Sequence, residues 1–247
     1  MTTIVLTCPG WTGPPPFAAS GLAPFVRTAV EPPVVRTPVE PPVVHAVPER
    51  PGKDDLAEPM AALERGDPDN RLVVAGTDAD LNAVVLRLLR TERLADVAVA
   101  YLPADPRSAA AAVWSLPTDP TRAADLALRG DPDPVPLVRD DSGGVLLGRG
   151  ELAPMRGVVW CDDQLVLRGQ ASRLEVTPAV PDGVAVRAAR IGVLGLRSSS
   201  AVGRAVQVGC MSAAVTFDGI SHDRPVNRWT WYRHTEPLRL VRGLPAS

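Results

Sequence analysis

The chain has 247 residues, with 26 lysines and arginines against 28 aspartates and glutamates, and this near balance excludes a salt-driven polyanion binder such as a nucleic-acid protein. With 45% hydrophobic and 22% charged residues it can build a real core, yet its longest apolar stretches, such as Ala109 to Trp114, fall far short of the roughly 20 residues a membrane-spanning helix needs. Three scattered cysteines, Cys8, Cys161 and Cys210, make neither a disulfide framework nor a metal-spaced pair, and read as buried thiols of a cytoplasmic protein.

Met1 to Pro16 lacks a basic segment before its few apolar residues and does not read as a signal peptide. Thr3 to Thr7 is a short strand that can pair with the sheet that follows. Nearly half of the 27 prolines lie before residue 60, where a nine-residue unit occurs at Val26 to Val34, again at Val35 to Val43, and in decayed form from Val44-His45. Proline lacks an amide donor and fixes φ, so residues 1–70 are expected to be a proline-rich arm, extended and semi-rigid; a ligand for a proline-reading domain is the alternative.

From Arg71 the periodicity alternates. Arg71 to Ala75 is a buried-strand run, and Leu81, Val84, Val85, Leu88 and Leu89 then mark one face of a helix. Asp96 to Leu102 is a second strand, followed by helices over Arg107 to Trp114 and Thr118 to Arg129, the latter ended by Gly130. This βαβα order predicts an α/β lobe with parallel strands over residues 71–134. After Val135 the helical signal stops. Short apolar runs separated by turns such as Asp182-Gly183 and Asp218-Gly219 predict an antiparallel β-sandwich over residues 135–247, with Ser198 to Ser200 at a loop tip. The fold class is therefore an abbreviated Rossmann-like parallel lobe followed by a β-sandwich domain.

The informative turn is Val73-Val-Ala-Gly-Thr-Asp-Ala-Asp-Leu-Asn82. A helix that starts directly after a parallel strand aims free amides at the sheet's carboxyl edge, where phosphates bind. Thr77 with Asp80 three residues on also fits a capping box, which would satisfy those amides internally.

This turn resembles the Gly-Gly-Asp-Gly-Thr-Leu-Asn-Glu motif of the diacylglycerol kinase catalytic family, which also contains sphingosine kinases and is related to NAD kinases. Gly76, Asp78, Leu81 and Asn82 match. The second family motif falls at Pro103 to Ala112, where little beyond Pro103 and Ala111 agrees. Leu116-Pro117, Pro120 to Gly130 and Val135 to Val138 are similar to the next proline, helix and strand, and Asp218-Gly219 falls where the family has Asp-Gly-Glu. The resemblance spans about Arg71 to Arg242. It implies ATP and Mg as cofactors, phosphoryl transfer to a lipid hydroxyl at or near a membrane surface, a nucleotide site at Gly76, Thr77, Asp78, Ala79, Asp80, Asn82 and Pro103, and Asp218 as the catalytic base.

The departures have physical consequences. Thr77 and Ala79 add Cβ atoms where glycines let phosphate approach the backbone. Asp80 and Asp105 add carboxylates along the phosphate path, Pro106 removes an amide donor, and Ile220 replaces the glutamate after Gly219. The expectation is a lipid-kinase-like protein of weak or no catalytic activity, a pseudoenzyme; the alternative is a non-catalytic scaffold or binding module for a protein partner or an anionic ligand. A lone Asp before Gly is also an ordinary turn residue.

Other signals are weaker. Gly143-Gly144 precedes no helix and reads as a hairpin. His45, His222 and His234 lack ligand spacing, so no metal site is expected, and no Gly-x-Ser-x-Gly elbow is present. Arg228-Trp-Thr-Trp-Tyr-Arg-His234, read as a strand, puts Trp229, Trp231 and Arg233 on one face. That face is either a core tryptophan pair or a surface for an anionic headgroup or a partner.

Overall fold

The computed structural model describes residues 2–12, 42–63, 67–192 and 195–243. In chain order its first part comprises β1 (Thr3–Thr7), β2 (Val43–Ala46), α1 (Ala57–Ala62), β3 (Asn70–Gly76), α2 (Asp78–Arg90), β4 (Val97–Pro103), α3 (Ala109–Trp114), α4 (Pro120–Arg129) and β5 (Asp131–Val135). Strands β2, β1, β3 and β4 are parallel neighbours in that order. Every residue of β3 and β4 is buried, as expected of parallel strands covered on both faces. The α2 stripe of Leu81, Val84, Val85 and Leu88 packs into the core of this lobe.

The short strand expected at Thr3 to Thr7 does pair with the sheet, in register with Arg71 to Ala75. Most of the two proline-rich repeats falls outside the described residues. Their decayed copy, Val44-His45, lies in β2, an edge strand on which Val43 and Val44 are half exposed.

The antiparallel part follows as β6 (Val138–Asp140), β7 (Val145–Leu146), β8 (Gly150–Leu152), β9 (Met155–Cys161), β10 (Gln164–Ala171), β11 (Arg173–Ala179), β12 (Gly183–Gly192), β13 (Gly195–Gly203), β14 (Ala205–Ala213), β15 (Val215–Phe217), β16 (Ile220–Ser221) and β17 (Val226–Arg233). They form two sheets, ordered β10-β9-β14-β17-β6-β7 and β13-β12-β11-β8-β15-β16. The inner faces share one core containing Val159, Val206 and Trp231 from the first sheet and Leu174, Val176 and Val186 from the second. This is the α/β lobe with a β-sandwich that the periodicity predicts.

Four local expectations meet a tertiary answer. Gly143-Gly144 is the β6–β7 hairpin turn, held by Asp140, whose carboxylate accepts from the amides of Ser142 and Gly144. Ser198 to Ser200 are not a loop tip: they lie in β13 opposite Ala189, Ala188 and Arg187, because ladder bonds are made by backbone and an edge strand tolerates polar side chains. The run at Leu238 to Val241 leaves the sandwich. It forms β18 (Leu238–Gly243), which enters the sheet of the α/β lobe between β4, to which it is parallel, and β5, to which it is antiparallel. Finally, Trp229 and Trp231 are 3% and 0% exposed and meet edge to face at 5.9 Å between ring centroids. They are a core pair, so the tryptophan surface suggested for an anionic headgroup does not exist; the hydrophobic effect placed both rings inside.

No described helix is long and apolar enough to cross a membrane.

Candidate functional site

β3 ends at Gly76 beside Pro103, the last residue of β4, and α2 leaves directly from that edge. Val145, Leu146 and Leu147 alternate between the two cores: Val145 and Leu147 pack with the α/β lobe and Leu146 with the sandwich. That alternation carries the backbone of 147–149 across the junction, and the β15–β16 turn meets it there. Gly76, Thr77, Asp78, Ala79, Asp80, Asn82, Pro103 and Asp218 thus gather at one crevice. Two clefts open on it, of about 390 and 450 Å³, sharing Thr77, Ala79 and Gly219 in their walls.

Asp80 turns back on its own helix. Its carboxylate accepts from the Thr77 amide at 2.8 Å and the Thr77 hydroxyl at 2.8 Å, and its other oxygen accepts from the Arg50 amide at 2.7 Å. Thr77 Oγ1 accepts from the Asp80 amide in return, so the capping box is formed. A Cβ at Gly76 would stand 2.6 Å from Asp80 Oδ2 and 3.0 Å from the Cys8 Cβ. Glycine is required here to admit that carboxylate. The Cys8 thiol, buried and next to Asp80, is pushed up to about 12, so it stays protonated and unreactive.

Asp78 points the other way. One oxygen accepts from the Tyr101 hydroxyl at 2.9 Å and from the Ser108 hydroxyl; the other accepts from the amides of Ala109 at 2.8 Å and Ala110 at 3.3 Å. Burial and this carboxylate raise the Tyr101 phenol, which remains a donor at any ordinary pH.

Asp218 is 2% exposed and sits with Gly219 in a turn with both φ angles positive, the geometry that an Asp-Gly pair favours. It is the turn residue the bland reading foresaw, but its side chain reaches inward. One oxygen accepts from the amides of Gly148 at 2.7 Å and Arg149 at 3.0 Å, the other from Asn82 Nδ2 at 2.8 Å and the Leu147 amide at 2.8 Å. Asn82 is fixed in turn by donating to the Val145 carbonyl, and Trp114 donates to the Leu147 carbonyl.

Burial pushes the Asp218 carboxyl up to about 6, against the pull of its four donors, so it is ionised at neutral pH. Its folded pKa lies above the unfolded value of about 3.9. The associated stability is therefore full below about pH 4 and lost as pH rises through 6. The stability gap between the wild type and Asp218→Asn is expected to narrow over that window in urea denaturation, with carbon-13 titration of the carboxyl centred near pH 6. A gap that is constant or widens with pH contradicts the assignment.

An ionised carboxylate has two oxygens and about four lone-pair sites. In Asp78 and Asp218 every oxygen already holds two protein donors, so a magnesium ion or an acceptor hydroxyl would have to displace one of them. Among the described residues no group of three or more His, Cys, Asp or Glu side chains converges as a metal-ligand set. ATP with magnesium does not fit this arrangement. Its phosphates would find the amides of Thr77, Ala109, Ala110 and residues 147–149 committed and three carboxylates nearby, each repelling a unit phosphate charge by about 3 kcal/mol at 5 Å and an effective dielectric near 20.

Sequence reasoning missed the partners. Tyr101, Ser108, the amides of 147–149 and Arg50 are all essential to the geometry. Ser108 alone carried a signal, as a capping serine before an alanine run whose hydroxyl accepts from the Ala111 amide.

No protein-family model and no curated protein matches the sequence. Solved structures do match. A diacylglycerol kinase from Bacillus anthracis superposes with a TM-score of 0.63 at 11% identity, covering 98% of this chain and 97% of that one. The chain has the fold of the diacylglycerol kinases and NAD kinases. The kinase fold extends to an NAD kinase from Archaeoglobus fulgidus in complex with ATP, with a TM-score of 0.50 at 14% identity over 81% of this chain and 84% of that one. A yeast NADH kinase complexed with NADH gives 0.51 at 12% over 98% and 83%. The likeness is one of fold, and it agrees with the family that the Gly76 to Asn82 turn resembles.

Proposed function

We propose that this chain is a lipid-kinase-like protein that has given up phosphoryl transfer and uses its kinase fold as a non-catalytic scaffold. One observation carries the reading: the carboxylates of Asp78, Asp80 and Asp218 occupy the crevice's own hydrogen-bond donors, standing where the oxygens of a phosphate chain would otherwise be held. Internal carboxylates satisfy the helix and loop amides without a ligand, which costs anion affinity. The solved neighbours are diacylglycerol and NAD kinases, and for that reason the lost reaction is read as transfer from ATP to an alcohol. Asp218, the residue in the place of a base, already holds four protein donors, and an acceptor hydroxyl would have to displace one of them to reach it.

The test is thermal unfolding with millimolar Mg-ATP, together with a phosphoryl-transfer assay on diacylglycerol. A ligand at one hundred times its Kd stabilises by roughly 2.7 kcal/mol, so a functional site would give a clear upward shift. No shift and no labelled lipid are expected. An upward shift or measurable transfer overturns the reading. Asp80→Thr with Ala79→Gly, which removes one internal anion and one Cβ, is expected to bring a shift where the wild type shows none.

A further inference from the structure

The first sandwich sheet turns one face to the core and the other to solvent, and the register identifies the outward set. Leu165 lies opposite Trp160, which lies opposite Gln207, itself opposite Thr230. In the next outward row Arg168, Val158, Gly209 and Arg228 are successive neighbours, and Arg156 is beyond them opposite Gln170. Trp160 is 37% and Leu165 41% exposed, while Arg156, Arg168 and Arg228 are exposed. None of these outward positions is an aspartate or glutamate, although acidic residues outnumber basic ones in the whole chain. The nearest acidic pair, Asp162 and Asp163, is confined to the β9–β10 turn, where the Asp162 carboxylate is engaged by the amides of Arg204 and Ala205. At the far end a shallow cleft of about 450 Å³ opens between Met155, Arg156, Gln170 and Met211, and Met211 is 64% exposed.

We propose that this face is a docking surface for an anionic phospholipid bilayer. Charge complementarity selects an anionic partner. The rest of the surface selects a bilayer: an indole beside a leucine at the hairpin end of the face, with arginines in the rows that follow, matches the interfacial zone, where tryptophan is enriched and arginine stems lie along apolar surface while their heads meet phosphate. The chain's net negative charge does not oppose this, because a docked face is within a Debye length of about 8 Å of the lipid and the other faces are not. The face is separate from the crevice and needs no nucleotide, so it stands or falls independently of the kinase-fold reading.

The experiment is co-sedimentation of the full chain with sucrose-loaded vesicles of one part phosphatidylserine to two parts phosphatidylcholine, against phosphatidylcholine alone. Sedimentation is expected with the first and not the second. Arg156→Gln/Arg168→Gln is expected to weaken it by about 25-fold, each arginine near an anionic surface being worth roughly five-fold. Trp160→Ala is expected to weaken it further. The control Arg90→Gln/Arg122→Gln, with the same change in charge on α2 and α4, should bind as the wild type does. Absence of binding to the anionic vesicles, equal weakening in the control, or equally strong binding to soluble polyglutamate in place of vesicles overturns the proposal; the last outcome would assign the face to an acidic protein partner instead. Unchanged thermal unfolding of the variants separates lost docking from lost folding.

Discussion

Asp218→Ala is expected to lower the free energy of unfolding by about 3–5 kcal/mol. The substitution orphans the amides of Leu147, Gly148 and Arg149 and the Asn82 side chain, all now within 3.0 Å of the carboxylate, and a buried donor without a partner costs roughly 1–3 kcal/mol. Water entering the space left by the carboxylate recovers part of that sum, since the site is polar and has several partners to offer it. Against a typical total of 5–15 kcal/mol the loss is a large fraction. Asp218→Asn keeps one acceptor oxygen but turns its amide toward two donors, so it is expected to lose about 2 kcal/mol. A residue kept for proton transfer behaves in the opposite way: its removal abolishes turnover and leaves stability unchanged or improved. Urea denaturation of the two variants therefore decides between a structural anion and a catalytic base. A variant as stable as the wild type contradicts the structural role.

Trp231→Ala is expected to cost a further large amount, about 3–5 kcal/mol, by the rule for emptying a packed aromatic site. Trp231 has no exposed surface, is packed edge to face with Trp229, and is so close to β8 that a Cβ on Gly150 would stand 2.7 Å from its Cζ2. The glycine and the indole are complementary. Trp231→Phe should be far milder. It loses part of the ring volume but also removes the indole N–H, which is buried without a hydrogen-bond partner. A headgroup-binding tryptophan would show the reverse pattern, a loss of binding with little change in stability. Trp160→Ala, at an exposed site, is expected to stay within about 0.5 kcal/mol of the wild type in the same measurement.

Much of the fold was legible because it is written in short-range pattern. The alternation of Arg71 to Ala75, the α2 stripe and Asp96 to Leu102 gave the parallel lobe, since apolar periodicity is a local property of a chain with one buried side. The capping box at Thr77 and Asp80 and the Asp218-Gly219 turn were equally readable, as each is satisfied within a few residues. The gathering of Gly76, Asp78, Asn82, Pro103 and Asp218 followed from spacing along a family-like pattern.

What could not be read depends on partners far along the chain. Asn82 meets Asp218 across 136 residues, and the amides that complete the Asp218 shell are about 70 residues away. A carboxylate at the carboxyl edge of a sheet looks the same in sequence whether it repels a phosphate or replaces one. β18 reads as another sandwich strand until the open position between β4 and β5 claims it, and Trp229 and Trp231 read equally well as surface or core until the second sheet covers them. The sequence by itself determined most of the strands, helices and turns from residue 71 onward, whereas β2, α1 and the strand through Ser198 to Ser200 were not legible in it. The tertiary structure alone decided which anion fills the crevice, because buried donors must be satisfied by whatever acceptor the folded chain brings within hydrogen-bond reach.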